Sequence, residues 1–499
     1  MLRTQPVNGR ATHCKARLRG LVLGRAGGLR RVLARPFTGW VVYPSTPLRL
    51  GVNTRIPFTP MMNHADVAAT LIAAALAAVE PGAAVRAGLQ LQAEQLRVGT
   101  QHYNLTQIGR IWVVAVGKAA HPMAAAAAAV LGQRLHAGVI VAPQVADPIA
   151  GMCVLAAGHP IPNAASVAAA QQVAALLAQT GSNDLVLVLI SGGGSALLSL
   201  PVPGVALADL QTLTTQLLAC GAPIQAINCL RKHLDQIKGG GMARMAAPAH
   251  VAALILSDVV GNPLDVIASG PTVPDPTTFA DAWAVVERYG LQATLPSTIR
   301  EHLQRGLVGQ VADTPGPDHP CFAHTTTLLV GSNLQAAQAA QHAAQVAGFH
   351  SLILTTHLQG EARDVGRFLA AIGRELAQGQ HPLPRPACLI VGGETTVTLR
   401  GAGRGGRNQE LALAAVRDLA DLPNIALVTL ATDGVDGPTD AAGAVVTGTT
   451  LQRAQALGLD PSDYLARNDA YTFFAALGDL IHTGPTQTNV NDLAFVFAW

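Results

Sequence analysis

Apolar runs of strand length alternate with helix-length patterns through most of this chain, and that alternation restricts it to sheets covered by helices. Ile111-Trp-Val-Val-Ala-Val116, Gly138-Val-Ile-Val-Ala142, Asp184-Leu-Val-Leu-Val-Leu-Ile190 and Val251-Ala-Ala-Leu-Ile-Leu256 read as buried strands. Ala-rich helices such as Met123-Ala-Ala-Ala-Ala-Ala-Ala-Val130 lie between them. After a break the pattern resumes with Thr327-Leu-Leu-Val330, His350-Ser-Leu-Ile-Leu354, Ala387-Cys-Leu-Ile-Val391 and Ile425-Ala-Leu-Val-Thr-Leu430. The break, residues 296–320, ends in Thr314-Pro-Gly-Pro-Asp-His-Pro320 and reads as a linker. A chain of 499 residues is too long for one ordinary core. The expectation is therefore two α/β domains, residues 63–312 and 321–499. The first is a Rossmann-like, mostly parallel sheet with helices on both faces.

In open α/β sheets ligands bind at the carboxyl ends of the strands, and glycines, cations and acids collect there in both halves. Lys118, one of four lysines, follows a strand and a glycine at a helix start, a position that disfavours a cation unless an anion is present. As a point charge it suits a transferring phosphoryl group. Ser191-Gly192-Gly193-Gly194-Ser195 lacks Walker A spacing, yet its successive glycines allow a nest of N–H donors. Further on, Gly392-Gly393-Glu394-Thr395-Thr396 precedes Gly401-Ala-Gly-Arg-Gly-Gly-Arg-Asn-Gln-Glu410, and Leu411-Ala-Leu-Ala-Ala-Val416 reads as a helix start. Bare N–H groups at Gly392, Gly393, Gly405 and Gly406, a helix N-terminus and guanidinium forks, with Glu394 and Asn408 among them, favour an anion carrying several oxygens, meaning phosphate. Arg407, at the rigid end of its loop, is the candidate for charge building on the phosphoryl oxygens; Arg404 lies between glycines that hold it less well.

Other readings of these loops stay open. Gly401, Gly403 and Gly406 also fit the dinucleotide fingerprint G-x-G-x-x-G, with Asp433 27 residues beyond Gly406. That keeps an NAD(P)H-dependent reductase as an alternative, although two arginines exceed what a nicotinamide pyrophosphate needs. A nucleotide-binding regulatory module is a third possibility. Asp258, Asp433 and Asp436 are strand-end carboxylates suited to Mg²⁺ with phosphate oxygens, or equally turn formers and caps. Arg231, Lys232 and His233 form a cationic cluster for a substrate carboxylate, or a solvated helix face. His159 reads as a structural turn residue.

Composition removes other classes. Only 13% of residues are charged, and no apolar run approaches the roughly 20 residues that span a bilayer. The formal net charge of +3 comes from the first 65 residues, which hold eleven Lys or Arg and no acid. The body is thus mildly acidic, and a nucleic-acid partner loses its support. Residues 1–62 read either as a transit-type segment or as a start assigned too early, ahead of Met61 or Met62. Six cysteines without metal-ligand spacing suit a reducing cytoplasm; Cys153, Cys220 and Cys388 read as small core residues.

Residues 64–499 resemble the glycerate 2-kinase family, often named hydroxypyruvate reductase, whose C-terminal half is the MOFRL domain. The resemblance rests on Gly117-Lys-Ala-Ala120, Gly158-His-Pro-Ile-Pro162, Ser191-Gly-Gly-Gly-Ser195, Leu230-Arg-Lys-His-Leu234 with Lys238-Gly-Gly240, and Ser257-Asp-Val-Val-Gly261 with Ala268-Ser-Gly-Pro-Thr272. In the second half it rests on Gly392-Gly-Glu-Thr-Thr396, Gly405-Gly-Arg-Asn-Gln-Glu410, Thr432-Asp-Gly-Val-Asp-Gly-Pro438 and Gly484-Pro-Thr-Gln-Thr-Asn-Val-Asn-Asp492. It implies ATP-dependent phosphorylation of D-glycerate to 2-phosphoglycerate with Mg²⁺, an active site in the interdomain cleft, and Lys118 and Arg407 as the catalytic cations. The partners are then a small hydroxy acid and a nucleotide, with homo-oligomerisation left open. Asn163, Asn262 and Ala226 depart from the pattern, standing where Asp, Asp and Glu are usual.

Overall fold

Every residue of the strand runs at 111–116 and 185–190 is buried, so each of these strands must be covered on both faces. The computed structural model describes residues 64–499 apart from Gln380; the expectations for residues 1–62 lie outside them. The first strands, β1 (Leu89–Gln92), β2 (Gln95–Val98) and β3 (Gln101–Asn104), form a small antiparallel meander. The sheet proper follows with β4 (Ile111–Val116), β5 (Leu135–Ala142), β6 (Met152–Ala156), β7 (Leu185–Ile190), β8 (His250–Leu256) and β9 (Thr325–Gly331). All six are parallel, in the order β6-β5-β4-β7-β8-β9. That is the doubly wound order 3-2-1-4-5-6, whose direction reverses between β4 and β7. On one face Val113 and Leu187 pack against the Ala120–Leu131 helix; on the other, Val114 and Val188 pack against Ala164–Leu177.

The second sheet contains β10 (His350–Leu358), β11 (Ala387–Gly393), β12 (Ile425–Ala431), β13 (Gly443–Thr447), β14 (Leu480–Ile481) and β15 (Asp492–Ala498). Its order is β10-β11-β15-β12-β13-β14, and only β10 and β11 pair in parallel. The final strand β15 inserts antiparallel between β11 and β12. Its first residue, Asp492, therefore registers with Gly393 and Ala431, the carboxyl ends of two strands at once.

The expected linker is not one. Residues 297–307 form the helix Ser297–Leu307, and β9 beyond it completes the first sheet beside β8. The Pro- and Gly-rich stretch marks a crossover loop, since composition reports a turn and not what the chain joins next. The chain passes to the second sheet after Gly331, into the helix Asn333–Val346. Ala336, Ala337, Ala340 and Ala344 of that helix are fully buried. They share one apolar cluster with Leu71 and Ala75 of the helix His64–Ala78, Leu254 of the first sheet and Ile390 of the second. Residues 61–499 accordingly form one compact unit with a core running under both sheets. Among the described residues no single helix is long and apolar enough to cross a membrane. Of the cysteines assigned to the core, Cys388 is buried, while Cys153 and Cys220 are exposed.

Candidate active site

The reversal of strand order between β4 and β7 opens a crevice at their carboxyl ends, and both sequence-predicted loops of the first half lie there. Gly117 has φ 127°, and a Cβ on it would come within 2.2 Å of Ser191 Oγ. That close approach lets Ser191 Oγ accept from Ala119 N at 3.0 Å, while Lys118 N donates to Gly192 O at 2.8 Å. The two loops are laced together, and Lys118 is left exposed with no hydrogen bond from its ammonium among the described residues. The glycines of the second loop are bare because side chains lie on them. Asp258 covers Gly192, at 2.0 Å from a hypothetical Cβ, and the His159 ring lies 2.9 Å from one at Gly193. Ser195 Oγ is 2.6 Å from Ser269 Oγ, which bonds Asn228 Oδ1. Ala268 and Ser269 hold left-handed backbone conformations, φ 50° and 61°, beside Gly194.

A pocket of about 160 Å³ brings the two halves together: Lys118, Ser191 and Gly192 line it with Asp433, Pro485 and residues 487–489. Among the described residues Asp433 Oδ1 accepts only from Val435 N, at 3.1 Å. Burial pushes the Asp258 carboxyl up, and the charge of Lys118 pulls it back. Burial likewise lowers His159, helped by Lys118. His159, set aside from the sequence as a turn residue, thus belongs to the site.

In the second half several expectations need correction. The helix begins at Arg407, not at Leu411, with Gly406 as its N-cap. Its exposed-donor reading fails because Asp436 fills that end: the carboxylate accepts from Asn408 N at 3.1 Å and Gln409 N at 2.8 Å. Asp436 is 1% exposed and its pKa is pushed up to about 6, by burial above all. It is a helix cap and not a ligand for Mg²⁺. Asn408 is buried with its amide on Asp436, so it offers nothing to a nucleotide. Gly392 and Gly393 are bare for packing reasons: Cβ atoms there would strike Asn333 Oδ1 at 1.7 Å and Leu358 O at 2.1 Å. Gly405 backs onto Ala470, at 3.3 Å, and a Cβ on Gly406 would meet Asp436 at 2.3 Å. Arg404 is better held than its glycine neighbours suggest, stacked 4.1 Å over the Tyr471 ring with Nε donating to Pro438 O.

Arg407 is gripped by two carboxylates. Its Nε and Nη2 fork onto Asp492, and Nη1 lies 3.0 Å from Glu394 Oε1. Burial opposes its charge, but Asp492 and Glu394 outweigh burial and its pKa is raised. Asp492 itself is raised, by burial first, with Arg407 pulling against it. No residue of 484–492 stood out from the sequence as a site residue, although the polar run Asn489-Val-Asn-Asp492 just before an apolar strand was the available signal.

The cationic cluster separates. Lys232 is 3% exposed with Nζ 2.7 Å from Asp275, and His233 is buried with Nδ1 on Cys229 O at 2.8 Å. Both are used inside the fold and cannot receive a substrate carboxylate. Arg231 differs: it has no hydrogen-bond or ion-pair partner among the described residues, and burial lowers its pKa. It lines a narrow cleft with Pro162, Ser195 and Ser199 next to the glycine loop. The departures from the family pattern are structural here. Asn163 caps Ala164–Leu177 with Ser166, Asn262 holds φ 53°, and Ala226 is buried in its helix. Among the described residues no group of three or more His, Cys, Asp or Glu could hold a metal ion unaided.

Known proteins resemble this chain over most of its length. A family model described as a domain of unknown function (DUF4147) matches residues 67–304, and the MOFRL family model matches residues 387–492. A D-glycerate 2-kinase of Thermotoga maritima is 45% identical over 388 residues, 77% of this chain and 90% of that protein. The chain belongs to the glycerate 2-kinase family. A glycerate 2-kinase of Pyrococcus horikoshii is 40% identical, with 87% of this chain and 97% of that protein covered. The crystal structure of a glycerate kinase from Thermotoga maritima superposes with a TM-score of 0.78 at 40% identity, covering 87% of this chain and 99% of that one.

Proposed function

We propose that this protein is a glycerate 2-kinase that phosphorylates D-glycerate at the expense of ATP, in the cytoplasm. The observation that carries the reading is the meeting of Lys118 and Gly192, at the point where strand order reverses, with Asp433 in one pocket. The desolvated, unpaired Arg231 supports a carboxylate-bearing substrate, held at the Ser195 side of that crevice. With the carboxylate anchored there, the substrate hydroxyl attacks the γ-phosphorus in line. Lys118 and the Nη1 edge of Arg407 take up the charge on the transferring oxygens. Mg²⁺, when bound, offsets phosphate charge; Asp433, with Asp258 nearby, supplies the one or two carboxylates such an ion needs beside phosphate oxygens and water.

The reductase alternative lacks its structural context. A dinucleotide fingerprint must join a strand directly to a helix. Here β11 ends at Gly393, and Gly401 and Gly403 instead pack on the backbone of residues 467–469, at 2.5–2.6 Å from hypothetical Cβ atoms. Phosphorus NMR with ATP and D-glycerate, run beside NADH oxidation with hydroxypyruvate, tests the reading. Appearance of 2-phosphoglycerate and ADP supports it; hydroxypyruvate-dependent NADH loss without phosphoryl transfer would overturn it.

A further inference from the structure

Asn491 stands where the two sheets touch at their ligand-facing ends. It is 3% exposed and holds φ 66°, a conformation that asparagine tolerates better than most residues. Its Nδ2 donates to the carbonyl of Asp258 at 2.6 Å, just past β8 of the first sheet. The same nitrogen donates to Glu394 Oε2 at 3.0 Å, just past β11 of the second. Its own carbonyl accepts from Thr432 Oγ1 at 2.6 Å, past β12. One amide thus spends both its protons on two different sheets.

The two residues it ties lead straight to the two catalytic cations. The Asp258 carboxyl lies against Gly192 and feels the charge of Lys118. The other oxygen of Glu394 is 3.0 Å from Arg407 Nη1. Contacts therefore run from Asp258 through Asn491 and Glu394 to Arg407, with Lys118 near enough for its charge to act on the Asp258 carboxyl. Glu394 is also the more exposed of the two carboxylates on Arg407, 43% against 10% for Asp492. Asp492 is fixed by the strand it begins, so the position of Glu394 decides how the Nη1 edge of Arg407 is turned.

We propose that Asn491 is a positioning residue: it holds the Asp258 loop and Glu394 at one spacing, and so sets how Arg407 faces Lys118 during phosphoryl transfer. This rests on the reading of Lys118 and Arg407 given above. A clasp that served folding alone would affect stability, whereas a positioning residue governs kcat and leaves the carboxylate site at Arg231 undisturbed.

The test uses the full chain with Asn491→Asp and Asn491→Gly. Both tolerate the left-handed backbone, so each alters the amide and spares φ. The expected result is a kcat lowered about tenfold to a hundredfold, as for a misplaced reacting group, with KM for D-glycerate within about twofold. In Asn491→Asp the introduced carboxylate faces Glu394 and the Asp258 carbonyl and can donate to neither. Asn491→Gly removes both donors without adding charge, and its kcat should fall with the same small change in KM. Should either variant fail to fold, Glu394→Ala cuts the path from the other end and should lower kcat to a similar extent. Turnover within about twofold of wild type in the folded variants, or a kcat loss matched by an equal rise in KM for D-glycerate and a fall in melting temperature, would overturn the proposal. Lys118→Ala run alongside keeps the two questions apart. Near-normal turnover in Lys118→Ala sinks the underlying reading, while an inactive Lys118→Ala beside unimpaired Asn491 variants sinks this inference alone.

Discussion

Arg407 and Asp492 face each other through two hydrogen bonds, from Nε and Nη2 to the two carboxylate oxygens, where β15 enters between the ends of β11 and β12. The pair is asymmetric: the Asp492 side chain is 10% exposed and the Arg407 side chain 30%. Asp492 is an anchor, and Arg407 keeps one edge toward solvent. Asp492→Ala should therefore cost about 2 kcal/mol of stability, less than a fully buried pair because Arg407 retains water and Glu394. It should cost more in kcat than in KM for ATP, because the guanidinium would stay in the site in the wrong orientation. Urea unfolding and steady-state kinetics on one preparation decide it; unchanged kcat would mean that Arg407 needs no anchor.

Lys118 makes no side-chain hydrogen bond among the described residues, so its removal breaks none, and Asp258 can take up a proton in place of the lost charge. Lys118→Ala should retain the wild-type melting temperature within a degree or so and lose about a hundredfold in kcat, roughly 3 kcal/mol of transition-state stabilisation. Turnover within a few-fold of wild type removes Lys118 from the mechanism.

Arg231 and Lys232 are adjacent in sequence and opposite in use, which gives a paired test. Arg231→Ala should raise KM for D-glycerate at least about tenfold with little change in stability, since a charge-assisted contact to substrate is lost. Lys232→Ala should leave buried Asp275 uncompensated and cost about 3 kcal/mol of stability, without a specific effect on KM. The reverse pattern would move the substrate carboxylate to the other cation.

The buried cap Asp436 predicts a pH dependence of stability. An unfolded aspartate titrates near about 3.9, whereas burial pushes Asp436 up to about 6. Between those values the native state keeps a proton that the unfolded chain has released. Its contribution to stability is fully present below about pH 4 and is lost as pH rises through about 6. Asp436→Asn lacks this component, so its unfolding free energy relative to wild type should improve by on the order of 2 kcal/mol between about pH 4.5 and about pH 7. Parallel stability curves for the two proteins would show that Asp436 does not titrate in this window.

Much of this was legible along the chain because it depends on local pattern. The runs at 111–116 and 185–190 are apolar without interruption, and such runs bury on both faces whatever follows. Gly117-Lys118 and the Ser191–Ser195 glycines sit at strand ends, where backbone close approach demands glycine, so the loops of the first half were found by residue type alone. The linker at 296–320 was misread for the same local reason: prolines mark a loop, while β9 belongs to the first sheet through hydrogen bonds to β8.

Asp436 and Asn408 look like ligands in sequence and are a cap and its partner in space. Lys232 and His233 share a basic triplet with Arg231, yet their last helical turn points them into the fold and leaves only Arg231 at the crevice. Asn491 and Asp492 belong to a family motif but carry no site role in sequence, because their importance comes from β15 threading antiparallel between two strands far apart in the chain. Strand identity, loop position and family are carried by short-range spacing and by side-chain type, which the linear chain displays in full. Which carboxylate meets which cation depends on long-range register and on burial. Those arise only when hydrogen bonding between distant strands and exclusion of water bring residues such as Asp258, Asn491 and Glu394 to one point.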